Sequence, residues 1–167
     1  MNSLEKTSQY YQNATVLFVD DNTNEINQYL VFLEKTFSNL FLCKSTKEAE
    51  TILSTNEIDL LITSLQSPNI NGLELIQKSQ SAQKKISIIL LFQNNQDDLL
   101  LESLKLNLDA YIEKSFSIEV FKKAILKLVN TYTFEIELKN NQNYINQYEE
   151  ILEQSSIISK TDSSDII

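Results

Sequence analysis

The chain has 167 residues and a formal net charge of -9, with fourteen lysines and no arginine against twenty-three acids, one cysteine and no histidine. Disulfides within the chain, Cys/His zinc sites and histidine-based relays or triads are thereby excluded, and so small a basic complement argues against nucleic acid, whose phosphates need a basic face. No run of eighteen apolar residues occurs and a polar leader follows Met1, so the chain is expected to be cytoplasmic, with no membrane contact and no signal segment.

After a flexible leader over 1–13, Val16 to Val19 is a short all-apolar run, the pattern of a strand covered on both faces of a parallel sheet. Similar runs follow at Leu40 to Cys43, Ile58 to Ile62, Ile86 to Phe92 and Ala110 to Ile112. Cys43 lies in one of these and reads as a small buried hydrophobe. Segments of helical period separate the runs: Ile26, Leu30, Leu33 and Phe37; Ala49, Ile52 and Leu53; Leu73, Ile76 and Gln80; Leu99, Leu100, Ser103 and Leu104; then Val120, Phe121, Ala124, Ile125 and Leu128. Asn22 with Glu25, and Ser45 with Glu48, have capping-box spacing. Asn107 suits a left-handed helix cap.

Five strands alternating with helices predict an α/β domain over 14–130, a parallel five-stranded sheet with helices on both faces and right-handed crossovers. Ligands of such sheets sit at the carboxyl ends of the strands. Those tips carry Asp20 and Asp21 after the first strand, Ser64 after the third, Phe92 and Gln93 after the fourth, and Lys114 after the fifth.

Residues 131–154 form a further helical candidate, with Phe134, Leu138, Ile145, Tyr148 and Leu152 on one stripe that Asn141 interrupts. A parallel coiled-coil linker with Leu138, Ile145, Tyr148 and Leu152 at its seam and Asn141 as a register device explains the stripe, and a helix lying back on its own domain explains it nearly as well. Residues 131–167 are the more acidic part, with seven acids against Lys139 and Lys160.

Two carboxylates at one strand tip and a lysine at another are the materials for holding Mg²⁺ over an acceptor and neutralising a phosphoryl group. The plain structural alternative is an ion pair tying the first strand to the fifth. On these residues the chain resembles the receiver domain of two-component response regulators over about 14–129. Leu17 to Asp21 looks like that family's first strand and acidic pair, and Asp59 to Gly72 like its third strand and following loop. The resemblance implies a flavodoxin-like (βα)5 sandwich with strand order 2-1-3-4-5. It also implies that the phosphate-accepting aspartate stands four residues before the loop proline. With Pro68 and Gly72 holding the register, that position is Ser64. The family's hydroxyl switch residue is matched by Phe92, its aromatic switch residue by Tyr111, and its lysine by Lys114, with Ser115 where a proline usually follows.

An acceptor aspartate would also be a metal ligand, and a neutral hydroxyl serves a hard cation weakly. Mg²⁺ at Asp20 and Asp21 is thus expected to be weak or absent, with no other cofactor, and Lys114 is expected to pair with one of the two carboxylates. Phe92 has no hydroxyl to donate and is expected to fill space beside Tyr111. Further on, Tyr148 to Leu152 with Ser155 to Asp162 looks like the lead-in helix and first strand of a PAS sensor domain, with Ile166 and Ile167 opening the next strand, so that 155–167 would begin a following domain. The reading that results is a phosphorylation-independent pseudo-receiver. It is not an enzyme: it forms a homodimer, held either by the face of the fourth helix, fifth strand and fifth helix, as in many receivers, or by the helix from about Phe134 to Leu152; it meets a histidine kinase or another signalling protein, and regulates a downstream output domain. The alternatives are a phosphorylation-competent receiver with unusual chemistry, and a purely structural dimerisation domain.

Overall fold

The computed structural model describes residues 13–81, 85–115 and 117–162. Five strands, β1 (Thr15–Val19), β2 (Asn39–Cys43), β3 (Leu60–Ser64), β6 (Ser87–Phe92) and β7 (Ala110–Glu113), form one parallel sheet. Between β3 and β6 lies a small antiparallel hairpin of β4 (Gln66–Ser67) and β5 (Ile70–Asn71). The helices are α1 (Thr23–Thr36), α2 (Thr46–Thr55), α3 (Gly72–Gln80), α4 (Asp97–Ser103) and α5 (Ile118–Asp162). The sheet order is β2-β1-β3-β6-β7, which is 2-1-3-4-5 once the hairpin is set aside, so the parallel α/β sheet expected from the alternation and the flavodoxin-like order implied by the resemblance are the ones formed.

The all-apolar runs follow from burial on both faces, since successive side chains of a strand point to opposite sides. Val16, Phe18, Leu60, Ile62, Ile89, Leu91 and Ile112 pack with Tyr29, Leu33 and Phe37 of α1 and with Phe121, Ile125 and Val129 of α5. Leu17, Val19, Leu61, Ile88 and Leu90 pack on the other face with Ala49 of α2 and Leu73, Leu75 and Ile76 of α3. The rings of Tyr29 and Phe121 lie 4.6 Å apart, joining α1 to α5 across the first of these layers.

Some local expectations differ from the structure. No described residue other than glycine has a positive φ, so Asn107 is not a left-handed cap; α4 ends earlier, at Leu104 in right-handed geometry, and the Asn107 carbonyl accepts from Gln80 Nε2. Val120 and Leu104 are exposed, and Ile118 and Val129 join the α5 face instead. Ser45 Oγ accepts from Glu48 N as a cap, but the Glu48 carboxylate returns to Lys44 N, one residue before the cap. The side chain of Glu25 lies outside the described residues, and its pairing with Asn22 with it.

The chain divides at Val129 and Asn130 into two compact units. In the second the backbone is helical through Asn141 and on to Asp162. Ser155 to Asp162 is therefore helix where the PAS-like reading expects a strand. Ile166 and Ile167 lie outside the described residues.

Gly72, at the start of α3, is the place where absence of a side chain is a steric requirement. A Cβ there would stand 2.1 Å from the Ser64 carbonyl oxygen and 2.8 Å from that of Leu65, which itself accepts from Gly72 N at 2.9 Å. Gly72→Ala is expected to destabilise the domain by about 1–3 kcal/mol, the usual range for overpacking, measured by urea unfolding; an unchanged midpoint would show that the loop yields freely. Cys43 is buried at the end of β2, and burial, with Glu48 nearby adding to it, pushes its thiol up to about 11. Since the thiolate is the reactive form, iodoacetamide at mildly alkaline pH should label native Cys43 far more slowly than the urea-unfolded chain. Equal rates would place the thiol at the surface.

Candidate functional site

Parallel strands end together, and the carboxyl edge of this sheet gathers residues far apart in the chain. Asp20 follows β1 and its backbone N–H donates to the Cys43 carbonyl at 3.0 Å. Ser64 ends the central strand β3, and Lys114 follows β7, held by its own N–H to the Phe92 carbonyl at 2.8 Å. Tyr29 Oη donates to the Lys114 carbonyl at 3.3 Å, so the aromatic pair in the core also braces the lysine's backbone.

The side chains converge on one oxygen. Ser64 Oγ donates to Asp20 Oδ2 at 2.6 Å, and Lys114 Nζ stands 2.7 Å from the same atom. Asp20 Oδ1 accepts from the Asn22 backbone N–H at 2.9 Å. Asp20 is 1% exposed, Ser64 0% and the Lys114 side chain 7%. A carboxylate so withdrawn from water is tolerable only when paired and hydrogen-bonded, and all three donors meet that need.

Asp21 does not join them. Its Oδ2 accepts from the backbone and side-chain nitrogens of Asn69, at 3.1 and 3.3 Å, which ties the β1 tip to the turn of the hairpin. Pro68 and Asn69 form that turn between Ser67 and Ile70. The two adjacent carboxylates thus part company, one inward to the lysine and one outward to the loop. For Mg²⁺ this donor set is a poor fit: one Asp20 oxygen already holds a cation and a hydroxyl, Asp21 is turned away, and Ser64 is neutral. Among the described residues no group of three metal-ligating side chains occurs.

Phe92 and Tyr111 both pack against the core cluster on the α2–α3 face, and Tyr111 Oη donates to the Ser103 carbonyl of α4 at 3.0 Å. Sequence reasoning passed over Gln96. Its Oε1 accepts from Gln93 N at 3.0 Å and its Nε2 donates to the Gln66 carbonyl at 2.8 Å, so one side chain clasps the β6–α4 loop to the hairpin. A glutamine before Asp97 and Asp98 carries no signal of this in the sequence, because both partners are backbone groups. Asp59, the other acid near β3, sits at the opposite end of that strand and accepts from Thr15 N at 2.9 Å.

Comparison with known proteins agrees with this architecture. The response regulator receiver domain model matches residues 16–126. Response regulator SaeR of Staphylococcus aureus is 26% identical over 118 residues, covering 71% of this chain and 50% of SaeR; the chain spans about half the length of the curated relatives it matches. Among solved structures, the signal receiver domain of an HD domain-containing protein from Pseudomonas fluorescens superposes with a TM-score of 0.67 at 18% identity, over 75% of this chain and 93% of the other. A CheY-like receiver domain protein from Methanospirillum hungatei gives 0.64 at 18% identity, over 73% and 98%. These structural likenesses show the fold, and the family match, over the segment that carries Asp20, Ser64 and Lys114, shows the lineage: the chain belongs to the response regulator receiver domain family, whose members serve two-component signal transduction.

Proposed function

We propose that this receiver domain signals without aspartyl phosphorylation, as a protein-binding and self-associating module that regulates an output domain coupled through the helical segment after Asn130. The observation that carries the reading is the closed contact of Ser64, Asp20 and Lys114. Where the resemblance to other receivers puts a phosphate-accepting carboxylate, this chain has a fully buried hydroxyl that donates to Asp20. The lysine suited to a phosphoryl group is engaged with the same carboxylate. Phe92 and the Gln96 clasp add no hydroxyl that can move to read a phosphate, and the module is proposed to act by binding, not by catalysis.

A second reading, phosphorylation by unusual chemistry, draws on family membership and on the Ser64–Asp20 hydrogen bond. A hydroxyl beside a carboxylate base is the general arrangement of an activated oxygen nucleophile. Burial of Ser64 and the hold of Lys114 on the would-be base weigh against it. Its product would be a stable serine ester, which makes it easy to recognise.

Treatment with acetyl phosphate or phosphoramidate in Mg²⁺ is expected to leave the intact mass unchanged, while Ser64→Asp gains partial acceptance, limited by Phe92. Stable phosphate mapped to Ser64 would establish the second reading in place of the first. Calorimetry should show Mg²⁺ binding that is weak at physiological salt, because a divalent ion would have to displace Lys114 from Asp20. Tight, stoichiometric binding would mean that the two aspartates rotate together and that the closed contact is not the resting arrangement.

A further inference from the structure

The helical unit after Asn130 carries an ordered apolar pattern along its length. Phe134, Leu138, Asn141, Ile145, Tyr148 and Leu152 are spaced 4, 3, 4, 3 and 4 residues apart, the alternation of d and a positions in a heptad. The five apolar members are 62, 54, 52, 70 and 57% exposed in chain order, far more than apolar side chains in a settled core. The helix runs unbroken through all six. Spacing of this kind sustained over nearly three heptads matches the seam of a two-stranded coiled coil.

We infer that a second copy of this chain covers the seam, parallel and in register, with Asn141 of both copies meeting in one layer. This rests on the self-association within the proposed function and specifies its geometry. In a parallel pair each layer meets its own copy, so Asn141 faces Asn141 and two amides satisfy one another. In an antiparallel pair a layers face d layers, and either overlap sets Asn141 against Leu138 or Ile145. An amide buried against an aliphatic side chain loses water and gains no partner. Charges agree with this choice. Parallel strands bring g positions to the following e positions of the other helix, setting Asn130 near Glu135 and Tyr144 near Glu149. Antiparallel strands bring e to e, and Glu135 towards Glu149, a like-charge approach on both sides of the seam.

The seam is short, and beyond Leu152 the next heptad positions, Ser155, Ser159 and Asp162, are polar in sequence. Association should therefore be modest and concentration-dependent. Tyr144 and Ile151, at g positions and exposed, widen the apolar strip beside the seam.

The test uses the full chain in a Cys43→Ala background. Leu152→Cys, equilibrated in a glutathione redox buffer, is expected to form covalent dimers with itself, as is Phe134→Cys, while a mixture of the two gives little hybrid beyond random exchange at matched layers. An antiparallel seam predicts the reverse, a Phe134→Cys with Leu152→Cys hybrid and little self-linked product, and that result would overturn the proposal. Asn141→Leu should tighten dimerisation by at least about tenfold, the effect of removing a partly compensated polar group, and should let the antiparallel hybrid appear. An unchanged affinity would show that Asn141 is not in a seam. Sedimentation equilibrium separates the two levels of failure. A chain that stays monomeric at high micromolar concentration defeats self-association itself, whereas a dimer without the Leu152→Cys cross-link, or one that survives truncation after Asn130 undiminished, defeats only the seam.

Discussion

Asp20 is a charge withdrawn from water at the carboxyl edge of the sheet, and the arrangement around it follows from the need to compensate that charge. Ser64 reaches it from β3, which lies beside β1, and Lys114 from β7, beyond β6, so the contact joins the first, third and last strands of the sheet in chain order. Breaking a buried pair by removing one partner typically costs several kcal/mol, since the other charge is left uncompensated. The contact therefore closes the carboxyl edge as much as it occupies it.

The surroundings are built so that this edge has little freedom. Gly72 lets α3 start directly against the carbonyls of Ser64 and Leu65, which holds the strand tip from one side. Tyr29 braces the Lys114 backbone from α1 and lies against Phe121 of α5. Asp21 ties the β1 tip to the hairpin turn, and Gln96 ties the same hairpin to the β6–α4 loop. Densely packed interiors move between discrete arrangements more readily than they deform. In this domain several side chains that border the edge are tied to one another or to neighbouring backbone groups, which is the physical support for the proposal that the edge stays closed.

The helical unit presents the opposite problem. Its apolar side chains are more than half exposed, and short helices draw most of their stability from packing. A second copy offers each of them a matching surface and offers Asn141 the only partner of its own kind at the same height. If two copies pair there as proposed, the acidic character of that segment limits how strongly they do so.

What the residues by themselves determined is the periodic part. Runs of apolar residues at strand length, separated by segments of helical period, point to a parallel sheet covered on both faces, and parallel strands gather Asp20, Ser64 and Lys114 at one edge; the strand order came from the resemblance to receiver domains. The spacing of Pro68 and Gly72 placed Ser64 through the same resemblance, which sets the acceptor position four residues before the loop proline. Only the tertiary structure decided how two adjacent aspartates divide their work, because the choice between Lys114 and Asn69 depends on directions that adjacency in sequence does not encode. It alone revealed the hairpin at Gln66 to Asn71, whose two-residue strands are too short to show alternation. It alone exposed the Gln96 clasp, which binds backbone groups that every residue possesses. It ended α4 at Leu104 without a left-handed Asn107, because a right-handed exit already satisfied the last carbonyls.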